Sequence, residues 1–180
     1  MRVIAGSARG VPLVAPRDRG TRPITDRVKE TLFAILGDRV PESRVLDLYA
    51  GSGAIGIEAL SRGARHADFV EHGRTAREAI DRNLAATRLG ADATVHGADV
   101  ERFLAGTNAP AWDIAVLDPP YEVRAIVAPL RALVPHLAPG ATVVVKHFWR
   151  NDVPEVAGLR SVRQRRFGET MLTLLTRDDG

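Results

Sequence analysis

Four consecutive residues, Asp118-Pro119-Pro120-Tyr121, carry groups that could act on an amine attached to an aromatic ring. Such an amine is a poor nucleophile because its lone pair is delocalised, and acceptors that hold its N–H groups direct the lone pair outward. Asp118 offers a carboxylate, Pro119 offers a backbone carbonyl, and neither proline adds a competing N–H. Tyr121 offers a face on which a base can stack. The alternative is a proline-terminated strand with an edge tyrosine, and the position of the tetrapeptide after a buried strand favours catalysis.

A glycine-rich segment, Gly51-Ser52-Gly53-Ala54-Ile55-Gly56, lies between a predicted strand and a predicted helix. By itself it fits NAD, with Glu71 on the ribose, and it also fits a tight turn that binds no ligand. Asp47 favours S-adenosylmethionine, because a carboxylate there repels a pyrophosphate and attracts an ammonium and a sulfonium. The carboxylate of that cofactor would meet the amides at the start of the following helix.

Acidic side chains at the ends of the next strands complete the predicted cofactor site. Glu71 is placed to hold ribose hydroxyls, and Asp99 is placed to accept from the adenine amino group. Asp99 is equally suited to cap a helix that begins at Val100, and the two roles are compatible. The predicted cofactor-binding residues are Asp47, Tyr49, Gly51, Ser52, Gly53, Glu71, Asp99 and Asp118.

These residues are positioned by alternating strands and helices, which indicate a Rossmann-like, mostly parallel sheet built from right-handed βαβ units. Strands are predicted at 45–48, 67–71, 93–96, 114–117, 141–147, 159–165 and 171–176, the last two forming an antiparallel hairpin. Helices are predicted from residue 25 or 26 to 36, then over 55–62, 75–89, 100–105 and 123–137, with Pro135 breaking the last of them. Two short strands, 2–5 and 11–15, predict a basic N-terminal hairpin extension over 1–23, followed by a methyltransferase domain over 24–180.

Composition and charge narrow the class of protein. The 180 residues include no cysteine, no signal-peptide core and no run of the roughly 18 apolar residues that a membrane span needs, so we expect a cytoplasmic protein. The five histidines form no ligand motif, so no metal is expected. Residues 1–30 hold seven basic and three acidic side chains, and a second basic cluster comprises Arg160, Arg163, Arg165 and Arg166. Such clusters suit a polyanion, although solvated surface explains the charge equally well.

The whole chain resembles the RsmD family of bacterial methyltransferases, which act on the N2 amine of guanine 966 in 16S ribosomal RNA. The resemblance rests on the motifs above, together with Arg2-Val-Ile-Ala-Gly6, residues 22–30 (RPITDRVKE), residues 56–64 (GIEALSRGA) and Phe167-Gly-Glu-Thr170. It implies a seven-stranded fold, S-adenosylmethionine as cofactor, the target amine held at Asp118 and Tyr121, and a monomer acting on an assembled or assembling 30S subunit. It also implies that the N-terminal region binds RNA. The predicted RNA-binding residues are Arg9, Arg22, Thr25, Arg27 and Lys29.

Two segments depart from the family pattern. Many relatives have an acidic residue near the end of the fifth strand, where this chain has Lys146-His147-Phe148-Trp149-Arg150, and Phe167 stands where tyrosine is common. Phe148 and Trp149 are equally suited to stacking on RNA and to covering the end of the sheet. Competing functions are methylation of adenine N6 in DNA or of a protein glutamine, an NAD-dependent oxidoreductase, and a catalytically silent RNA-binding assembly factor.

Overall fold

The computed structural model describes residues 1–16, 24–109, 111–119 and 124–178, with side chains described from residue 126 in the last range. Five α-helices pack on a sheet of seven strands. The helices are α1 Asp26–Leu36, α2 Ala54–Ser61, α3 Arg74–Thr87, α4 Val100–Gly106 and α5 Arg124–Leu133. The strands are β1 Arg44–Leu48, β2 His66–Val70, β3 Ala93–His96, β4 Trp112–Leu117, β5 Leu137–Phe148, β6 Leu159–Phe167 and β7 Thr170–Arg177.

The strand order is β3-β2-β1-β4-β5-β7-β6, which confirms the predicted Rossmann-like layout. Strands β1 to β5 pair in parallel, whereas β7 pairs antiparallel with both β5 and β6. One core cluster joins the sheet to α1, α2 and α3, and a second joins its other face to α4 and α5. The carboxyl ends of β1, β2 and β4 therefore meet at one edge, where open α/β sheets bind ligands.

Local sequence explains where α1 begins and where α5 ends. The hydroxyl of Thr25 accepts a hydrogen bond from the Val28 amide, which satisfies one of the free donors at the start of α1. Helix α5 stops at Leu133, and Pro135 lies in the 3-10 turn that follows, as its missing amide predicts.

The N-terminal segment forms a shorter hairpin than predicted. One antiparallel bridge joins Arg2 to Pro12, with backbone hydrogen bonds on either side of it, in place of two regular strands. Other amides of the segment donate to side chains on helices. Ile4 and Ala5 donate to the carboxylate of Glu58 on α2, and Val14 donates to Asn83 on α3. Its apolar side chains Val3, Ala8 and Leu13 are buried in the same cluster as the first face of the sheet.

Strand β5 begins four residues earlier than predicted. Pro139-Gly140, which was expected to be a turn before the strand, forms an irregularity inside it, between the pairs Trp112–Leu137 and Ile114–Thr142. Gly140 has φ +68°, a conformation that glycine adopts without strain. None of the helices in the described ranges combines the length and apolar character needed to cross a membrane.

Candidate active site

The glycine loop that connects β1 to α2 contains several backbone conformations that L side chains rarely adopt. Gly51 has φ +56°, Gly53 has φ +72°, and Tyr49 adopts φ +60° although it carries a side chain. Gly56 is required for packing, since a Cβ there would lie 2.3 Å from Cε1 of Phe69 on β2. The loop is thus held against the sheet at the point where helix α2 begins.

Asp47 lies beneath this loop. Its side chain is 1% exposed, and Oδ2 accepts a hydrogen bond of 3.0 Å from the Gly56 amide. Burial is the main cause that raises the pKa of Asp47 to about 8; the hydrogen bond from Gly56 lowers it, and the charges of Asp118 and Glu71 add to the rise. The structure therefore gives Asp47 a role in fixing the start of α2, and its predicted contact with a cofactor ammonium stays a prediction.

Glu71 binds the loop from the end of β2. Its Oε2 accepts from the Gly51 amide at 3.0 Å, and its Oε1 accepts from the Gly73 amide at 2.7 Å. A carboxylate has about four lone-pair positions, so both oxygens keep capacity for ribose hydroxyls. Ser52 is also buried, and its carbonyl accepts from the side chain of Asn83 on α3.

Asp99 caps α4, which is one of its two predicted roles. Its Oδ1 accepts from the amides of Glu101 and Arg102, while the residue stays exposed beyond the end of β3. Tyr49 belongs to the same corner of the site. Burial, together with the negative charges of Asp99 and Glu101, raises the pKa of the Tyr49 hydroxyl to about 12.

Asp118 follows β4 and forms an ion pair that the sequence did not predict. Lys146 on β5 places Nζ 2.7 Å from both carboxylate oxygens of Asp118, and the two side chains are 11% and 27% exposed. Burial raises the pKa of Asp118, whereas the charge and hydrogen bonds of Lys146 lower it. Pro119 is buried. Pro120 and Tyr121 lie outside the described residues, so their assigned roles stay predictions.

Both residues of this pair are evident in the sequence, but only the pairing of the strands shows that they are neighbours. Lys146 was identified as a departure from the family pattern, and Leu117 pairs with Val145 across β4 and β5. That register puts Asp118 and Lys146 side by side at the carboxyl edge. Which strand neighbours β4 is a property of the topology, and the spacing of the residues along the chain does not reveal it.

The predicted RNA-binding residues differ in their exposure to solvent. Arg9, Thr25 and Arg27 are exposed, whereas Arg22 lies outside the described residues. The prediction for Lys29 was wrong, because its side chain has no exposed surface and its Nζ lies 3.2 Å from Oε2 of Glu58. Lys29 also donates to the Arg2 carbonyl, so its charge stabilises the docked N-terminal segment and is not available to a phosphate.

Comparison with known proteins agrees with the fold. The profile of the family described as "Conserved hypothetical protein 95" matches residues 1–176. Ribosomal RNA small subunit methyltransferase D from Escherichia coli is 35% identical over 181 residues, covering 99% of this chain and 90% of that protein. The chain belongs to this family. The predicted resemblance to RsmD is thereby confirmed.

A second relative and a solved structure are similar to the chain over nearly its whole length. "Putative rRNA methyltransferase YlbH" from Bacillus subtilis is 38% identical, with 94% of this chain and 95% of that protein covered. The solved structure of "Putative methyltransferase yhhF" from Escherichia coli is 32% identical and superimposes with a TM-score of 0.89 over 100% of this chain and 99% of that one. The fold is that of a Rossmann-like methyltransferase.

Proposed function

We propose that this protein transfers a methyl group from S-adenosylmethionine to the exocyclic N2 amine of guanine 966 in 16S ribosomal RNA. The observation that carries this proposal is the carboxylate of Asp118, held by an ion pair at the carboxyl edge of β4 and electrostatically coupled to the buried Asp47. The target base and its position come from membership of the family.

The charges of the site suit a cationic cofactor. Asp47, Glu71 and Asp118 are three acidic groups close enough that the last two raise the pKa of the first. A ligand with an ammonium and a sulfonium relieves this repulsion, whereas the pyrophosphate of NAD would add to it. The residues present therefore fit S-adenosylmethionine, which would supply an electrophilic methyl group at its sulfonium. In this proposal Glu71 would hold its ribose and Asp99 would accept from its adenine.

The residues of the chain act mainly by orienting the amine. In this proposal Asp118 accepts one N–H of the target amine, the Pro119 carbonyl accepts the other, and the nitrogen lone pair is directed toward the methyl carbon. S-adenosylmethionine would supply the methyl group and leave as the neutral thioether, so the positive charge would pass to the nitrogen that Asp118 and Pro119 hold. The methylated nitrogen then releases one proton, for which the Asp118 carboxylate is an acceptor before water takes it up.

An RNA substrate is supported by the distribution of exposed arginine. Arg9 and Arg27 are exposed on the N-terminal segment and on α1, and β6 presents Arg160, Arg163, Arg165 and Arg166 on an edge strand. At the end of β5, the guanidinium of Arg166 lies 3.7 Å from the ring centre of Trp149. Cationic and aromatic groups together are typical of surfaces that bind single-stranded nucleic acid. We therefore propose a monomer that acts in the cytoplasm on RNA within an assembled or assembling 30S subunit.

Transfer of labelled methyl groups to small subunits from a strain that lacks the activity tests this function. We expect N2-methylguanosine at a single position of 16S ribosomal RNA. Asp118→Ala should keep cofactor binding, measured by calorimetry, because Asp47 and Glu71 remain, and lower turnover by about 10²–10³-fold, the loss typical of removing one group that stabilises the transition state. Asp113→Asn is the matched control, because Asp113 is exposed at the opposite end of the same strand.

Several results would contradict the proposal. Label in DNA or protein in place of RNA would refute the substrate. Binding of NAD without binding of S-adenosylmethionine would refute the cofactor and favour an oxidoreductase. Cofactor binding without transfer to any substrate would indicate a silent RNA-binding factor, and full activity of Asp118→Ala would refute the catalytic role of Asp118.

A further inference from the structure

Lysine occurs at only two positions in this arginine-rich chain, Lys29 and Lys146. Both lie in tight ion pairs with a carboxylate, one with Glu58 and the other with Asp118. A lysine ammonium is a compact charge, whereas a guanidinium is a wide planar fork. The two lysines therefore stand where a cation must fit into a confined space, and Lys146 does so at the proposed reaction centre.

The contact between Lys146 and Asp118 restrains the carboxylate strongly. Nζ is 2.7 Å from Oδ1 and 2.7 Å from Oδ2, distances typical of short, charge-assisted hydrogen bonds. Two simultaneous bonds hold both oxygens of the carboxylate next to Lys146. Lys146 lies within β5 and Asp118 directly follows β4, and these two strands pair in parallel. The sheet therefore holds the two side chains next to each other.

The pair leaves Asp118 able to accept from a substrate. A carboxylate offers about four lone-pair positions, and the ammonium occupies one on each oxygen. The remaining positions are available to an N–H donor, and the side chain of Asp118 is 27% exposed. Protonation would convert one oxygen into a donor and halve this capacity. The charge state of Asp118 therefore decides how strongly it can hold the N–H groups of an amine.

The surroundings of Asp118 oppose that charge. Among the described residues, burial raises the pKa of Asp118 and Lys146 on β5 is the cation that lowers it. From β1 the buried Asp47 is a second carboxylate, whose own pKa is raised by Asp118 and by Glu71 on β2. Without Lys146, the site would hold three acidic groups and no described cation in contact with Asp118.

We propose that Lys146 is a positioning residue for methyl transfer: it keeps Asp118 as a carboxylate and holds that carboxylate in one orientation toward the target amine. This inference rests on the proposed function. Lys146 itself touches neither the amine nor the methyl group in this scheme. It acts through Asp118, and for that reason its loss should change the dependence of turnover on pH.

Turnover measured against pH, at saturating S-adenosylmethionine and RNA, tests the proposal with three variants. Lys146→Met removes the charge and keeps the length of the side chain. We expect at least a tenfold loss of kcat at pH 7, an acidic limb of the profile displaced upward by at least one pH unit, and partial recovery at pH 9. Lys146→Arg keeps the charge and should keep the position of the acidic limb, even if geometry lowers kcat. In an Asp118→Asn background, Lys146→Met should cause no further loss.

A measurement on the protein alone separates this inference from the proposed function. Carbon-13 NMR of labelled aspartate follows the titration of Asp118, and Lys146→Met should raise its apparent pKa by at least one unit. An unchanged titration would overturn the role of Lys146 whatever the activity. A loss of kcat that is equal at every pH and matched by a fall in melting temperature would also overturn it, in favour of a structural role. A wild-type enzyme that methylates no RNA would instead overturn the proposed function.

Discussion

Asp47 lies in an environment that opposes its ionised form. It is 1% exposed, its one described hydrogen bond comes from the Gly56 amide, and the charges that raise its pKa, on Asp118 and Glu71, are themselves acidic. Sequence reasoning identified the carboxylate and the sign of the ligand charge that it suits. It could not show that the carboxylate lies under the glycine loop, because that depends on how α2 turns back over β1.

The stability of the apoprotein should depend on pH through Asp47. Its folded pKa is raised to about 8, above the ordinary value near 4, so the folded state holds a proton that the unfolded state has lost. The stability contribution of Asp47 is therefore lost as pH rises between these two values. Asp47→Asn keeps an acceptor for Gly56 and removes the titration. We expect the melting temperature of the variant, relative to wild type, to increase between pH 5 and pH 8 while cofactor affinity falls.

Thermal unfolding at both pH values measures this difference, and Asp92→Asn on an exposed turn serves as the control. Each kcal/mol corresponds to about 2–4 °C for a protein of this size. The variant and the wild type could instead differ in melting temperature by the same amount at pH 5 and at pH 8. That result would show that folding does not raise the pKa of Asp47.

Gly56 makes a packing prediction at the same scale. In Gly56→Ala the new Cβ would lie 2.3 Å from Phe69, and both groups are held by secondary structure. We expect a loss of about 1–3 kcal/mol from overpacking, despite the gain of up to about 1 kcal/mol in helix propensity. Gly90→Ala is the matched control, because a Cβ at Gly90 has no heavy atom within 4 Å. Urea unfolding of the two variants should differ clearly, and equal stabilities would contradict the contact with Phe69.

At the scale of secondary-structure elements, one helix organises the N-terminal segment. Glu58 on α2 accepts hydrogen bonds from the amides of Ile4 and Ala5, and it pairs with Lys29 on α1 and with Arg62. Glu58 and Lys29 have no exposed side-chain surface. The segment therefore docks through a buried acidic side chain whose every described partner is a donor.

Removing Glu58 should be far more damaging than removing an exposed glutamate. Glu58→Ala leaves the Lys29 ammonium buried without its carboxylate, and we expect a loss of about 3–5 kcal/mol. Lys29→Met should cost less, because Glu58 keeps Arg62 and the two amides. Glu78→Ala is the control, since Glu78 forms a similar pair with Arg74 on α3 but is 45% exposed, and such pairs contribute below about 1 kcal/mol. Similar unfolding free energies for Glu58→Ala and Glu78→Ala would contradict this account.

Most elements could be predicted from the sequence, and the failures have physical causes. Periodic apolar residues, the cap at Thr25 and the break at Pro135 placed the helices to within two residues, except for the early end of α5. The N-terminal strands are shorter than predicted because the amides of Ile4 and Val14 are satisfied by side chains on α2 and α3, which no local pattern reveals. The start of β5 was predicted four residues too late, because Pro139 and Gly140 are tolerated inside an irregular strand next to Trp112.

For the whole molecule, the strand order separates the proposed cofactor site from much of the basic surface. The site lies over β1, β2 and β4, whereas β6 forms the edge of the sheet beyond β5 and β7. Arg163 and Arg165 are two residues apart on β6 and so extend from the same face of the sheet. Alternating strands and helices predicted this layout, but which arginines share a face depends on the irregularity between Ser161 and Arg163.

The double variant Arg163→Gln, Arg165→Gln should weaken binding of RNA without changing the chemical step. We expect KM for the RNA substrate to rise several-fold, kcat to stay within twofold, and the slope of log affinity against log salt to fall by roughly 1.5–2 if both contact phosphates. The matched control is Arg82→Gln, Arg88→Gln, at α3 near the opposite edge of the sheet. Equal salt slopes for the two double variants would show that β6 does not contact the phosphates.

The docking of residues 3–14 also constrains the order of events during synthesis. Val14 is hydrogen bonded to Asn83, 69 residues further along the chain, and Ile4 is hydrogen bonded to Glu58, 54 residues further along. Translation at roughly 5–20 residues per second leaves the earlier partner waiting for about 3–14 s before the later one is even polymerised. During that interval Val3, Ala8 and Leu13 have no core to enter. The nascent chain therefore exposes the apolar and basic residues 3–14 on the ribosome until α3 has emerged. This is the stage at which binding by a chaperone would protect the chain most.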